Sequence, residues 1–245
     1  MAQTSVLKES EPPVEGILRQ HQFAVGLGAM SDKELGEDHT DCTSMDAEQY
    51  LPLLKRVLTP ERLRHSIGVM RVMEELAGIY PLDRTRARIT GLLHDAAKDL
   101  DRRKQLTLVR EAGIQLQDPC DRLPVYLHAP ASACLVSKEW GISDRLLLDA
   151  ISMHTYCGDG PDFDAPLSRC LRAADILAPT HQWNGMQRLR SEVYSGHLEE
   201  AGLLQLRWLI EYLEELGLPV HPDLRARCLD AVEELSPPDD FFTRW

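Results

Sequence analysis

From residue 46 to about residue 236, apolar residues recur at three- and four-residue spacings and nowhere alternate over a useful length, so the pattern predicts helices throughout. A first helix carries Tyr50, Leu51, Leu54 and Leu58 at helical spacing. Thr59-Pro60-Glu61 opens a second, with the hydroxyl as N-cap, proline at the first helical position and an acid in the first turn. Its apolar stripe runs through Val69, Val72, Met73 and Leu76, and His65 falls four residues before Val69 on that stripe, facing inward as either a core histidine or a ligand. Asp83 is the expected cap of a helix over 84–100, in which Ala87, Gly91, His94 and Lys98 share a face. Glycine at 91 leaves room for another backbone or a ligand. A more polar helix over 101–112 ends at Gly113, with Arg102, Arg103 and Lys104 as a solvated face.

Pro130, read as a first helical position, starts a helix that runs to Trp140 and stops at Gly141, which puts His128 at its mouth. Ser143 is the expected cap of a helix over 144–154, lined by Leu147, Ala150, Ile151 and His154. The Gly-, Asp- and Pro-rich stretch 155–166 reads as a loop over whatever His154 faces. Residues 167–177 are helical again, with Asp175 among Leu171, Ala174, Ile176 and Leu177; a carboxylate so placed must be paired, capped or metal-bound. Helices follow around 186–194, over 197–216 with Leu198, Leu204, Trp208, Tyr212 and Leu213 as its apolar residues, and over 222–235. Pro237-Pro238 ends the pattern. The fold class is all-α, a helical bundle without internal repeats.

Residues 1–45 have no such periodicity and mix Glu-Pro-Pro, Gly-rich and acidic pieces, so they are expected to form a tail. Within it, 20–27 could dock as a short helix, while His39 and Cys42 read as solvated. The folded domain then spans 46–236, followed by a short tail over 237–245. At 245 residues and 43% apolar content, one large core is expected. A formal net charge of -12 argues against non-specific binding to nucleic acid or an anionic membrane surface, and means that a phosphorylated substrate needs a local source of positive charge. The six cysteines, Cys42, Cys120, Cys134, Cys157, Cys170 and Cys228, show no CxxC pairing and read as free thiols of a reducing compartment. No apolar run reaches the roughly 18 residues of a membrane span and no leader pattern opens the chain; the expected location is the cytoplasm.

Chemistry concentrates at Gly91-Leu92-Leu93-His94-Asp95-Ala96-Ala97-Lys98, an adjacent His and Asp in an apolar run. Alone, the pair is weak. Six side chains (His65, His94, Asp95, His128, His154 and Asp175) are each unusual in an apolar helical setting, and one shared metal site accounts for all of them. Oxygen and imidazole donors without thiolate suit Fe, Mn, Zn or Co, and six are too many for one tetrahedral zinc that keeps an open position. Two metals bridged by Asp95 fit the count better. Such a pair lowers the pKa of a bridging water toward about 7 and clamps phosphate oxygens.

His65, His94-Asp95 and Asp175 resemble the motif of the HD-domain metal-dependent phosphohydrolases. Arg62-Leu63-Arg64-His65, His94-Asp95-Ala96-Ala97-Lys98, Leu127-His128-Ala129-Pro130, His154-Thr155 and Ala174-Asp175 with Pro179 are similar, in order and wording, to the YqeK family, over roughly residues 54–181. The resemblance implies an HD-type bundle with additional C-terminal helices, a di-iron centre (with manganese, cobalt or zinc as alternatives) and symmetrical hydrolysis of diadenosine tetraphosphate to two ADP by a metal-bridging hydroxide. One metal would take His65, His94, Asp95 and Asp175, the other Asp95, His128 and His154. Lys98 would hold a phosphate oxygen or the hydroxide, against a solvated or salt-bridged surface lysine. Arg62 would bind phosphate or form an ion pair, and Thr155 would bind substrate or cap a helix. A homodimer is compatible with this picture. Two departures touch the substrate side: an extra residue in His154-Thr155-Tyr156-Cys157-Gly158, and Ala178-Pro179-Thr180-His181 where the family carries Glu-Pro-x-Arg. The alternatives are hydrolysis of a nucleoside di- or triphosphate, or a metal- and nucleotide-binding regulatory module without turnover.

Overall fold

The computed structural model describes residues 46–116, 120, 122–155, 163–179, 185–237 and 241. The expected tail over 1–45, with its possible docking segment at 20–27, and Cys157, Thr180 and His181 lie outside them. Among the described residues every regular element is a helix. A 3-10 turn, Ala47–Tyr50, leads into α1 (Leu51–Val57), followed by α2 (Pro60–Leu76), α3 (Arg84–Leu93), α4 (Arg102–Glu111), α5 (Pro124–Trp140) and α6 (Arg145–Ser152). Four more complete the chain: α7 (Pro166–Leu177), α8 (Met186–Tyr194), α9 (Leu198–Glu215) and α10 (Pro222–Leu235).

Caps set most of the boundaries. Thr59, Asp83 and Asp101 each accept a hydrogen bond from the backbone N–H three residues on, starting α2, α3 and α4. Gly141 takes the left-handed conformation that ends α5, with φ 73°. Two apolar clusters result. Leu54, Ile89, Leu92, Leu93, Leu135 and Leu147 belong to one, built on α1, α3, α5 and α6; Val69, Met73, Leu171, Leu177, Leu204 and Leu213 belong to the other, built on α2, α7 and α9. The site lies where these clusters meet, on α2, the end of α3, α5, α6 and α7.

Three expected boundaries move. The helix expected over 84–100 stops at Leu93, because the chain tightens into successive turns bonded three residues apart: Ala96 N–H to Leu93 O, Lys98 N–H to Asp95 O and Leu100 N–H to Ala97 O. His94 and Lys98 therefore do not continue the face of Ala87 and Gly91. Side chains brace this turn from two directions, since Ser132 Oγ accepts from the Ala97 N–H and Gln105 Nε2 donates to the Ala97 carbonyl. The helix expected to start at Pro130 starts at Pro124 instead, leaving Pro130 inside α5. Proline removes the N–H that would bond Tyr126 O, and the Thr155 hydroxyl donates to that carbonyl at 3.4 Å. Asp144, not Ser143, caps α6, and His154 sits just beyond the last turn of α6 rather than in it. The described cysteines, Cys120, Cys134, Cys170 and Cys228, are buried, and the last three are free thiols. No helix among the described residues is long and apolar enough to cross a membrane.

Gly91 is where α3 crosses α2 at its closest. A Cβ there would stand 2.9 Å from the Cα of Met70, and a backbone atom cannot turn aside as a side-chain tip can. Gly91→Ala is expected to destabilise the fold by up to about 2 kcal/mol despite alanine's better helix propensity, because overpacking of about 1–3 kcal/mol outweighs the gain of about 1 kcal/mol. A melting temperature lower by several degrees in a thermal unfolding curve checks this, and a variant as stable as the parent contradicts it.

Candidate metal centre

Six side chains from five elements meet at one point. Mid-stripe in the first turns of α2, His65 is directed inward, and its Nε2 lies 2.8 Å from Asp175 Oδ1 on α7. His94 and Asp95 begin the tight turn after α3; His128 sits in the second turn of α5, and His154 follows α6. Asp95 stands between the histidines with its two oxygens divided among them. Its Oδ2 is 3.5 Å from His94 Nε2, while Oδ1 is 3.1 Å from His128 Nε2 and 3.4 Å from His154 Nε2. His94 Nε2 is also 3.6 Å from Asp175 Oδ1. Donor atoms fall into three groups, each within 4.8 Å: His65, His94 and Asp95; Asp95, His128 and His154; and His94, His154 and Asp175, which joins the other two.

The backbone fixes which ring nitrogen faces the centre. Nδ1 of His94, His128 and His154 lies 2.8, 3.0 and 2.7 Å from the carbonyls of Gly91, Pro124 and Ile151. A carbonyl can only accept, so each Nδ1 carries a proton and each ring turns its Nε2 inward, the orientation of a metal-binding imidazole. The Nε2 atoms of His128 and His154 approach to 3.1 Å beside Asp95, and among the described residues the buried His94 Nε2 has no hydrogen-bond partner. Such a donor set suits a cation.

Electrostatics point the same way. Burial works to raise the Asp95 carboxyl, yet Lys98 and the surrounding histidines hold it well below the usual carboxylate range. Asp175 is likewise held low against burial, through the hydrogen bond from His65 and the nearness of His94. Burial and then the Lys98 charge push His128 down to about 4, so the ring is neutral at pH 7. His154 is lowered by burial and by His94. His94 itself is raised, because Asp95 and Asp175 outweigh its burial.

A cleft of about 430 Å³ opens onto these residues, within the roughly 300–1,000 Å³ of small-molecule pockets. The HD domain profile matches residues 62–180. The chain is 33% identical over 182 residues to the symmetrical bis(5'-nucleosyl)-tetraphosphatase of Halalkalibacterium halodurans, covering 74% of this chain and 95% of that one. It belongs to the YqeK-like family of HD-domain phosphohydrolases. The symmetrical bis(5'-nucleosyl)-tetraphosphatase of Bacillus subtilis is 30% identical over 181 residues, covering 73% and 94% of the two chains. An HD superfamily hydrolase from Clostridium acetobutylicum, described as involved in NAD metabolism, superposes with a TM-score of 0.68 at 28% identity, covering 78% of this chain and 98% of that one.

In this HD-domain phosphohydrolase Lys98 is partly buried, its side chain 26% exposed. Its ammonium lies 3.3 Å from Asp95 Oδ1 and 2.7 Å from His128 Nε2, at the floor of the cleft. Arg62 lines the cleft while its Nε sits 3.6 Å from Asp99 Oδ1, and Asp99 is itself held by the Thr59 N–H at 2.8 Å. Thr155 also lines the cleft. Ala178, in place of the family's glutamate, is fully buried. The sequence reading did not foresee the opposite wall. Gln205, Trp208 and Tyr212 of α9 face the cleft, as does Arg172, whose guanidinium lies 3.8 Å from the Phe163 ring centre and donates to the Phe163 carbonyl. A signal was available at spacings of three and four: a glutamine and two aromatics on one helical face.

Proposed function

We propose that the six-residue cluster holds two divalent metal ions and that the chain hydrolyses a dinucleoside polyphosphate, such as diadenosine tetraphosphate, symmetrically to two ADP. The division of the Asp95 oxygens carries the reading, one turned to His94 and the other to His128 and His154, as a bridging carboxylate requires. His65, His94, Asp95 and Asp175 would hold one ion, and Asp95, His128 and His154 the other. Iron is the metal proposed, on family resemblance, because imidazole and carboxylate donors also suit manganese, cobalt and zinc. Bound metals would supply Lewis acidity toward phosphate oxygens and activation of water. Everything else falls to the chain itself. Lys98 directs an ammonium at the reaction centre and offsets negative charge on the phosphates; Arg62 adds a second cation at the rim. A chain of net charge -12 thereby gains a local anion site. The relatives' names support the substrate class, and the overall reaction, one water and one tetraphosphate giving two ADP, is balanced.

Elemental analysis of protein purified without added metal, followed by product analysis with diadenosine tetraphosphate, tests both halves. About two metals per chain with ADP as the sole nucleotide product is the expected result. A second reading, hydrolysis of a nucleoside di- or triphosphate, is favoured by the buried Ala178 and by His181 at the position of the family's arginine. Two metals without ADP would move the assignment there.

A further inference from the structure

Gln205 presents an anomaly in the cleft that holds the metal centre. It is 4% exposed, it lines the cleft, and among the described residues neither its amide nitrogen nor its amide oxygen finds a hydrogen-bond partner. A buried primary amide unmatched at both ends is costly, and native structures keep one only where something else completes it. One turn further along α9, the rings of Trp208 and Tyr212 stack with centres 5.2 Å apart and planes 12° from parallel, and both also line the cleft. Tyr212 is 40% exposed, so the aromatic pair is wet where the amide is dry. Lys98 and five of the six candidate metal ligands, His65, Asp95, His128, His154 and Asp175, line the same space.

We propose that this face of α9 is a nucleobase subsite, with Gln205 reading the edge of an adenine and the Trp208–Tyr212 pair giving its ring a stacking surface. The inference rests on the nucleotide substrate proposed above and adds what selects the base. A carboxamide offers a donor and an acceptor side by side. Read by its N7 edge, adenine matches this with its amino group and N7, whereas guanine in the same pose offers two acceptors, N7 and O6, and leaves the amide oxygen unmet; guanine would match only by turning its O6 and N1–H edge to Gln205. Aromatic stacking adds affinity for any base, so discrimination falls to Gln205 and general affinity to the rings.

Calorimetry on metal-loaded protein, with ADP, GDP and pyrophosphate as probes, separates these roles without turnover. Gln205→Leu, close to isosteric, is expected to weaken ADP binding by about tenfold or more and to erase a preference for ADP over GDP, as loss of a bidentate base contact does. Trp208→Ala should weaken ADP and GDP alike, and pyrophosphate affinity and metal content should hold in both variants. Unchanged ADP affinity in Gln205→Leu and Trp208→Ala overturns the subsite, and so does an equal loss for pyrophosphate, which would place the effect at the metals. If the parent protein prefers ADP in this way yet never cleaves diadenosine tetraphosphate, the subsite stands and the proposed reaction fails. If it cleaves that substrate while both variants bind ADP as the parent does, the reaction stands and the subsite fails.

Discussion

Asp95→Ala should yield a folded chain that holds neither metal and hydrolyses no nucleotide. Each of the other five donors serves one side of the centre or joins two groups, but Asp95 alone turns one oxygen to each side. Losing an outer partner of a metal ligand typically costs about 10–100-fold in affinity or activity, so losing the proposed bridge should exceed a hundredfold in both. Asp95 also balances charge, since its carboxylate neighbours Lys98 and raises His94. Removing it leaves a buried cation with less compensation, a change that can cost about 3–5 kcal/mol. Asp95→Asn loses the same charge but keeps the shape, so comparing the two variants separates the lost charge from the lost volume. Circular dichroism and elemental analysis of both variants decide the matter: a folded Asp95→Ala protein that keeps two metals contradicts the bridging role.

Helix positions were legible because capping and periodicity are local. Thr59 and Asp83 each cap the helix expected of them. The misplaced boundaries have tertiary causes. Residues 94–100 look helical in isolation, but Ser132 and Gln105 capture the Ala97 backbone, and no periodicity in 84–100 announces partners from α4 and α5. Pro130 carries the signature of a helix start, yet inside α5 the Thr155 hydroxyl meets the carbonyl it leaves unbonded. The six candidate ligands were legible for a different reason: polar side chains on apolar stripes are conspicuous one by one. What the stripes did not disclose was the wall facing them. Trp208 and Tyr212 read as ordinary apolar positions, and only the packing of α9 against α7 shows that they border the cleft.

Lys98→Ala should do the reverse of Asp95→Ala, keeping the metals while turnover falls by about 10²–10³, the usual loss when one preorganised donor to developing charge is removed. The sign of the metal effect follows from position. Lys98 Nζ is 2.7 Å from His128 Nε2 and occupies the lone pair that ring would give a metal, so ammonium and metal compete for it. Deleting the ammonium removes a positive charge beside a cation site, and metal affinity should hold or tighten, whereas deleting a ligand can only weaken it. With metal bound, the ammonium would leave His128, and its flexible stem, which lines the cleft, would let it turn to a bound phosphate. Lys98→Arg should recover part of the rate, since charge is kept while its placement changes. Turnover equal to the parent's in Lys98→Ala would reduce the lysine to a structural partner of Asp95. Loss of metal in that variant would instead mean that Lys98 shapes the turn carrying His94 and Asp95, and single-turnover kinetics beside elemental analysis tells these outcomes apart.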